Sequence, residues 1–276
     1  MKTICSARIM WNERVNPKLL LVHSLESHCK NVEILGQKIW EGMKKLPHMF
    51  GLLQYIEKEL TPEDIRKAFY YHDLGKQDCD IIIEEKDSEI VDHYKGQCEK
   101  GVEKLSKEKF SSDFAKRFAQ ELVKYHHSFD TKDIVRAINR LLLRRKEDLS
   151  GSLIGRVFTL ALYSLRQADN LDAACIKAMT KAKFNPLSLA RPDCDFFILK
   201  LEEKHERYFT LDIRSKLVNP SELTLKYDVF QIEFSEFLRI GSMKEGKVFL
   251  LRRNLHEILR VAQSESLTAA LRFERT

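Results

Sequence analysis

From about residue 17 to about residue 185, apolar residues return every three or four positions with little interruption. That period limits this part of the chain to amphipathic helices packed on one another. "LLLVHSLESHCKNVEILGQKIWEGMKKL" (19–46) reads as one long segment, and Thr61, Pro62, Glu63 and Asp64 supply a cap, a first-turn proline and first-turn acids for a helix running to His72. Segments 92–108, 111–127, 130–148 and 150–182 follow as further helices between short polar breaks.

Pro186 and Pro192 bracket a change of texture. Residues 223–234 alternate apolar with polar as a half-buried strand does, 237–251 read as a hairpin turning near Glu245 and Gly246, and 254–264 read as a last helix. The expected fold is mainly α: a helical bundle over 1–192 with a small α+β appendage over 193–276. With 276 residues, 43% of them hydrophobic, the chain can bury a full core without covalent staples.

Cys5, Cys29, Cys79, Cys98, Cys175 and Cys194 are scattered, with no CxxC pair, which points to reduced thiols and a cytoplasmic location. No apolar run approaches the roughly 20 residues that span a bilayer, and the opening stretch lacks the apolar core of a secretory signal. The net charge of +6 permits a polyanionic partner without demanding one. Arg136, Arg140 and Arg144 share one helical face beside Arg145 and Lys146, and this face reads equally as a solvated surface or as a track for phosphates.

Chemistry concentrates in the helical part, where His28, His72, Asp73, His93, His126, His127 and Asp169 occur in sequence. Imidazoles and carboxylates drawn from several helices suit divalent cations. A single histidine on a helix is usually structural, so the joint pattern carries the argument. "SLESHCKNV" (24–32), "YYHDLGK" (70–76), "VDHYKGQ" (91–97), "KYHHS" (124–128) and "RQADNLDA" (166–173), in that order, resemble the HD superfamily of metal-dependent phosphohydrolases.

The resemblance implies a first metal held by His28, His72, Asp73 and Asp169, and a second held by Asp73, His93, His126 and His127, with Asp73 shared. His72 and Asp73 would then be catalytic. Lys76 would meet a phosphate oxygen, its plainer role being a cation at a helix end. His23 is an alternative to His28 on the same segment, five residues away and on another face. Asp172 is an alternative to Asp169, and otherwise a supporting residue or a cap. Arg166 and Gln167 are candidates to approach substrate. Gly96 and Gln97 stand where small serine or alanine residues are expected after the histidine of "VDHYKGQ".

Among branches of the superfamily, the spacing is most similar to the stand-alone HD nuclease subunits of type I CRISPR systems. No GYP signature, synthetase domain or Walker A motif is present. The resemblance therefore implies cleavage of single-stranded DNA or RNA with Mn²⁺, Mg²⁺, Ni²⁺, Co²⁺ or Fe²⁺, alongside a separate helicase and a crRNA-guided complex. The alternatives are a nucleotide or cyclic-nucleotide phosphohydrolase and a non-catalytic metal-binding scaffold.

Overall fold

The structure is a computed structural model that describes residues 6–12, 19–44, 56, 58–79, 81–86, 89–94, 96–143, 151–181, 227–233, 242–244, 248–251 and 270–273. Six helices run through them: α1 (Leu25–Lys44), α2 (Pro62–Tyr71), α3 (Gln97–Leu105), α4 (Asp113–Tyr125), α5 (Thr131–Leu142) and α6 (Gly151–Lys181). The fold is mainly α, and the helices enclose a large core. Phe69 from α2, Phe118 and Leu122 from α4, and Phe158 and Leu165 from α6 are all fully buried in it. α1 lies between α2 and α6. Its approach to α2 is close: a Cβ on Gly36 would fall 2.6 Å from the Phe69 ring.

Local signals fix the helix ends that matter. At the start of α2, the Thr61 hydroxyl accepts from the Asp64 amide, while the Asp64 carboxylate accepts from the Thr61 amide at 2.9 Å, a reciprocal box that satisfies two orphan donors. Asp64 also accepts from the amide of Ser111 at 3.1 Å and from its hydroxyl. Ser112 caps α4 and donates to the Glu59 carbonyl, so the first turns of α2 and α4 are tied together. Asp73 then leaves helical geometry at φ −111°, ψ 0°, and a 3-10 turn over Leu74–Asp78 follows.

Strands add to this bundle where the sequence reading placed only helices. β1 (Ser6–Asn12) pairs antiparallel with β2 (Leu19–Ser24), and β3 (Ile81–Lys86) with β4 (Glu89–Tyr94). Residues 19–24 are therefore a strand, and α1 begins only at Leu25, with the Ser24 hydroxyl accepting from the Ser27 amide. An apolar run such as "LLLV" suits a strand paired on both edges as well as a helix, and long-range pairing decides between them. Residues 92–94 likewise belong to β4, with α3 starting after Gly96 at φ +77°, so His93 sits on a strand and not on a helix.

The expected strand and hairpin of the C-terminal third are present as β5 (Tyr227–Glu233), β6 (Ser242–Lys244) and β7 (Val248–Leu251), joined by β8 (Ala270–Phe273). They are built into two four-stranded sheets, ordered β1-β2-β5-β8 and β4-β3-β7-β6. The helix expected over 254–264 and the basic positions 144–146 lie outside the described residues. None of the described helices is long and apolar enough to cross a membrane.

Candidate metal centre

Asp73 sits at the end of α2, fully buried, and its two carboxylate oxygens face different groups. Oδ2 lies 3.3 Å from His28 Nε2 and 3.7 Å from His72 Nε2. Oδ1 lies 3.3 Å from His126 Nε2 and 3.5 Å from His127 Nε2. Asp169 on α6 completes the first side, with Oδ1 3.4 Å from His28 Nε2, and the Nε2 atoms of His28 and His72 are 3.2 Å apart. The side chain of His93 lies outside the described residues.

The far side of each buried ring is engaged. His28 Nδ1 is 2.7 Å from Asp172 Oδ2, His72 Nδ1 is 2.8 Å from the Phe69 carbonyl, and His126 Nδ1 is 2.7 Å from the Val123 carbonyl. These acceptors require Nδ1–H, which leaves each Nε2 lone pair directed at Asp73 and its neighbours. That is the tautomer a metal ligand needs, oriented as supporting partners orient it. Both carbonyl contacts come from the residue three positions before the histidine, as expected for a ring at a helix C-terminus folding back onto the last turn.

The donor set fits cations. Ligand atoms held about 2.1 Å from one ion lie about 3.0–3.4 Å apart in octahedral or tetrahedral arrangements. His28, His72, Asp73 and Asp169 form one group of suitable donors, and Asp73, His126 and His127 another, with Asp73 in both. Without a cation, opposing lone pairs must be separated by a proton. Burial disfavours a charged His28, but hydrogen bonds that the ring donates to Asp172 and Asp73 outweigh it and hold that ring up at about 9, while burial pushes His72 down to about 3. Burial also works against the Asp73 anion, yet Lys76, His72 and the hydrogen bonds from His126 and His127 hold it well below the usual carboxylate range.

Lys76 is drawn inward. Its ammonium lies 2.6 Å from Asp73 Oδ2, donates to the Ala7 carbonyl, and stands 4.8 Å from the centre of the Tyr94 ring. The 3-10 turn that carries it packs tightly on α3. A Cβ on Gly75 would come within 2.0 Å of the Gln97 carbonyl oxygen and 2.5 Å of the Gly101 nitrogen, so only glycine fits. The contact also delivers Gln97, whose amide donates to Asp73 Oδ1 at 3.3 Å. Gln97 is a site residue that the sequence reading registered only as a departure from pattern.

The paired alternatives take distinct places around His28. Asp172 is fully buried and holds both His28 Nδ1 and the Asn31 amide, each at 2.7 Å, whereas Asp169 faces Nε2. Their three-residue spacing on one helix puts one carboxylate on each nitrogen of the same ring. His23 is also buried, 3.3 Å from the Ser27 hydroxyl and 3.7 Å from Asp172, and burial lowers it to about 4. Arg166, a candidate to approach substrate, is engaged by backbone. Its guanidinium donates to the carbonyls of Tyr125, His126 and Ser128 and braces the tandem histidines.

A family model described as the HD domain matches residues 25–174. The chain belongs to the HD domain family. It is accordingly a metal-dependent phosphohydrolase. The matched span of the HD domain starts with α1 and ends just past Asp172, so it contains every described side chain of the centre. Comparison with curated proteins and with solved structures gave no match.

Proposed function

We propose that this HD domain protein hydrolyses phosphodiester bonds of single-stranded nucleic acid at a two-metal centre. The observation that carries the reading is the division of Asp73, one oxygen toward His28 and His72 and the other toward His126 and His127. A single carboxylate so divided can be shared by two cations, the first completed by Asp169 and the second by His93. Bound divalent cations supply Lewis acidity that activates water and offsets charge developing on the phosphate.

The protein's own groups do the positioning. Asp172 and the carbonyls of Phe69 and Val123 hold the three buried rings in one tautomer. Lys76 neutralises Asp73 and is within reach of a phosphate oxygen presented beside that carboxylate, while Gln97 fixes the opposite oxygen. His72 is fully buried, whereas the His127 side chain is 46% exposed, so the centre opens on the side of the tandem histidines. An opening of that kind admits a flexible strand more readily than a stiff duplex.

The motif spacing supports a narrower version: the stand-alone nuclease of a type I CRISPR system, cutting a strand displaced by a crRNA-guided complex with a separate helicase. Labelled oligonucleotides and a panel of mononucleotides and cyclic nucleotides, each with Mn²⁺ or Ni²⁺, test it. Cleavage of the strand that disappears in Asp73→Ala and His72→Ala supports the reading. Turnover of nucleotides alone replaces it with a small-molecule phosphohydrolase, and inactivity toward every substrate and metal leaves a scaffold.

A further inference from the structure

Few large apolar side chains face solvent among the described residues, and Phe129 is the most open of them at 84% exposure. Leaving a phenylalanine unburied forgoes a sizeable hydrophobic gain, so its place invites a reason. It lies two residues past His127, which keeps the two Cα atoms within about 7.6 Å of each other. Its ring also stands 5.1 Å from the Arg166 guanidinium carbon. Arg166 is one helical turn before Asp169 on α6. Two elements that carry the metal centre therefore converge on this ring.

The backing is rigid. Arg166 is occupied by the carbonyls of Tyr125, His126 and Ser128, so the guanidinium cannot swing away and the ring is held against a fixed cation. The residual surface of the ring is open to solvent. Val135 and Leu143, the other exposed large apolar residues among those described, stand on or just past α5.

We infer that Phe129 is a stacking platform for a nucleobase of the bound strand, next to the phosphate that the centre cuts. The inference rests on the single-strand reading above. Aromatic faces hold successive bases of single strands without reading sequence, and an Arg-backed ring held beside a phosphate-cleaving centre has the required parts. The platform would fix the register of the strand by its base while the centre engages its phosphate.

The test compares kcat/KM for a labelled oligonucleotide with that for the same strand carrying abasic positions around the cut, with Mn²⁺, in the wild-type chain, Phe129→Ala and Phe129→Trp. The wild-type chain should prefer the base-bearing strand by about tenfold or more. Phe129→Ala should cut both strands at the abasic level, and Phe129→Trp should restore the preference. A purely structural role for the ring, holding Arg166 and the histidine loop, would instead lower both strands alike. Equal preference in wild type and Phe129→Ala, or uniform loss on both strands, overturns the inference and leaves the nuclease reading standing. A wild-type chain that cuts neither strand removes both.

Discussion

Asp172→Asn isolates the part of the centre that works on His28 from behind. The carboxylate is fully buried, accepting from His28 Nδ1 through one oxygen and from the Asn31 amide through the other, each at 2.7 Å. An asparagine has the same shape, and its carbonyl can keep the bond to His28. Its NH₂ would then oppose the Asn31 NH₂, but Asn31 Oδ1 has no partner and a flip of that side chain presents it as the acceptor. The fold is therefore retained, while the negative charge that raises the basicity of His28 is lost. Removal of such a supporting carboxylate costs about 10- to 100-fold in metal affinity, or about 1.4–2.7 kcal/mol. Calorimetric titration with Mn²⁺ should show one of the two proposed sites weakened by that factor, with the thermal midpoint of the metal-free chain within a few degrees of wild type. Asp169→Asn, which alters a proposed ligand, should abolish that site. Unchanged affinity at both sites in Asp172→Asn would refute the argument that this carboxylate tunes the ligand.

Asp73→Asn should reduce binding at both sites, whereas His127→Ala, at a half-exposed ring, should weaken one site and leave the thermal midpoint unchanged; metal stoichiometry by mass spectrometry separates the two patterns. Gly75→Ala drives a methyl group into the backbone at Gln97 and Gly101, so it should cost about 3 kcal/mol or more, read as a fall of about 6–12 °C in melting temperature. At the α2 cap, burial opposes the Asp64 anion, but hydrogen bonds from Ser111 and Thr61 hold its carboxyl below the ordinary value. Because the native value lies below the unfolded one of about 3.9, its contribution is complete above that pH and is lost as pH falls through the native value. Asp64→Asn should therefore cost about 1–3 kcal/mol at pH 7 and progressively less as pH falls below the unfolded value, by urea unfolding across a pH series; a constant difference would refute the assignment.

The candidate metal ligands that gather around Asp73 among the described residues stand out in the sequence because each belongs to a short segment whose residue types have few other uses together. His72 next to Asp73 at a helix end, tandem histidines at another, and acids three apart on α6 could be read without coordinates. The strands were not. "LLLVHS" carries no alternation to separate strand from helix, and what makes it β2 is pairing with β1 on one edge and with the distant β5 on the other. Gln97 was equally hidden, since its role follows from Gly75 nesting against the backbone of α3, a contact that leaves no period in the sequence. The inward turn of Arg166 depends on the carbonyls of a loop forty residues earlier and had no local signal either.

The sheet pairings have a bearing on biosynthesis. Leu21 pairs with Gln231 and Ile82 with Leu250, so the strand that leads into His28 and the hairpin that carries His93 both receive neighbours made much later. At about 5–20 residues per second, a translating ribosome leaves those backbone edges bare for on the order of 10–40 s. Nascent chains thus spend that interval with hydrogen-bonding edges open to neighbours on a polysome, and the danger of mispairing falls only when the late strands dock.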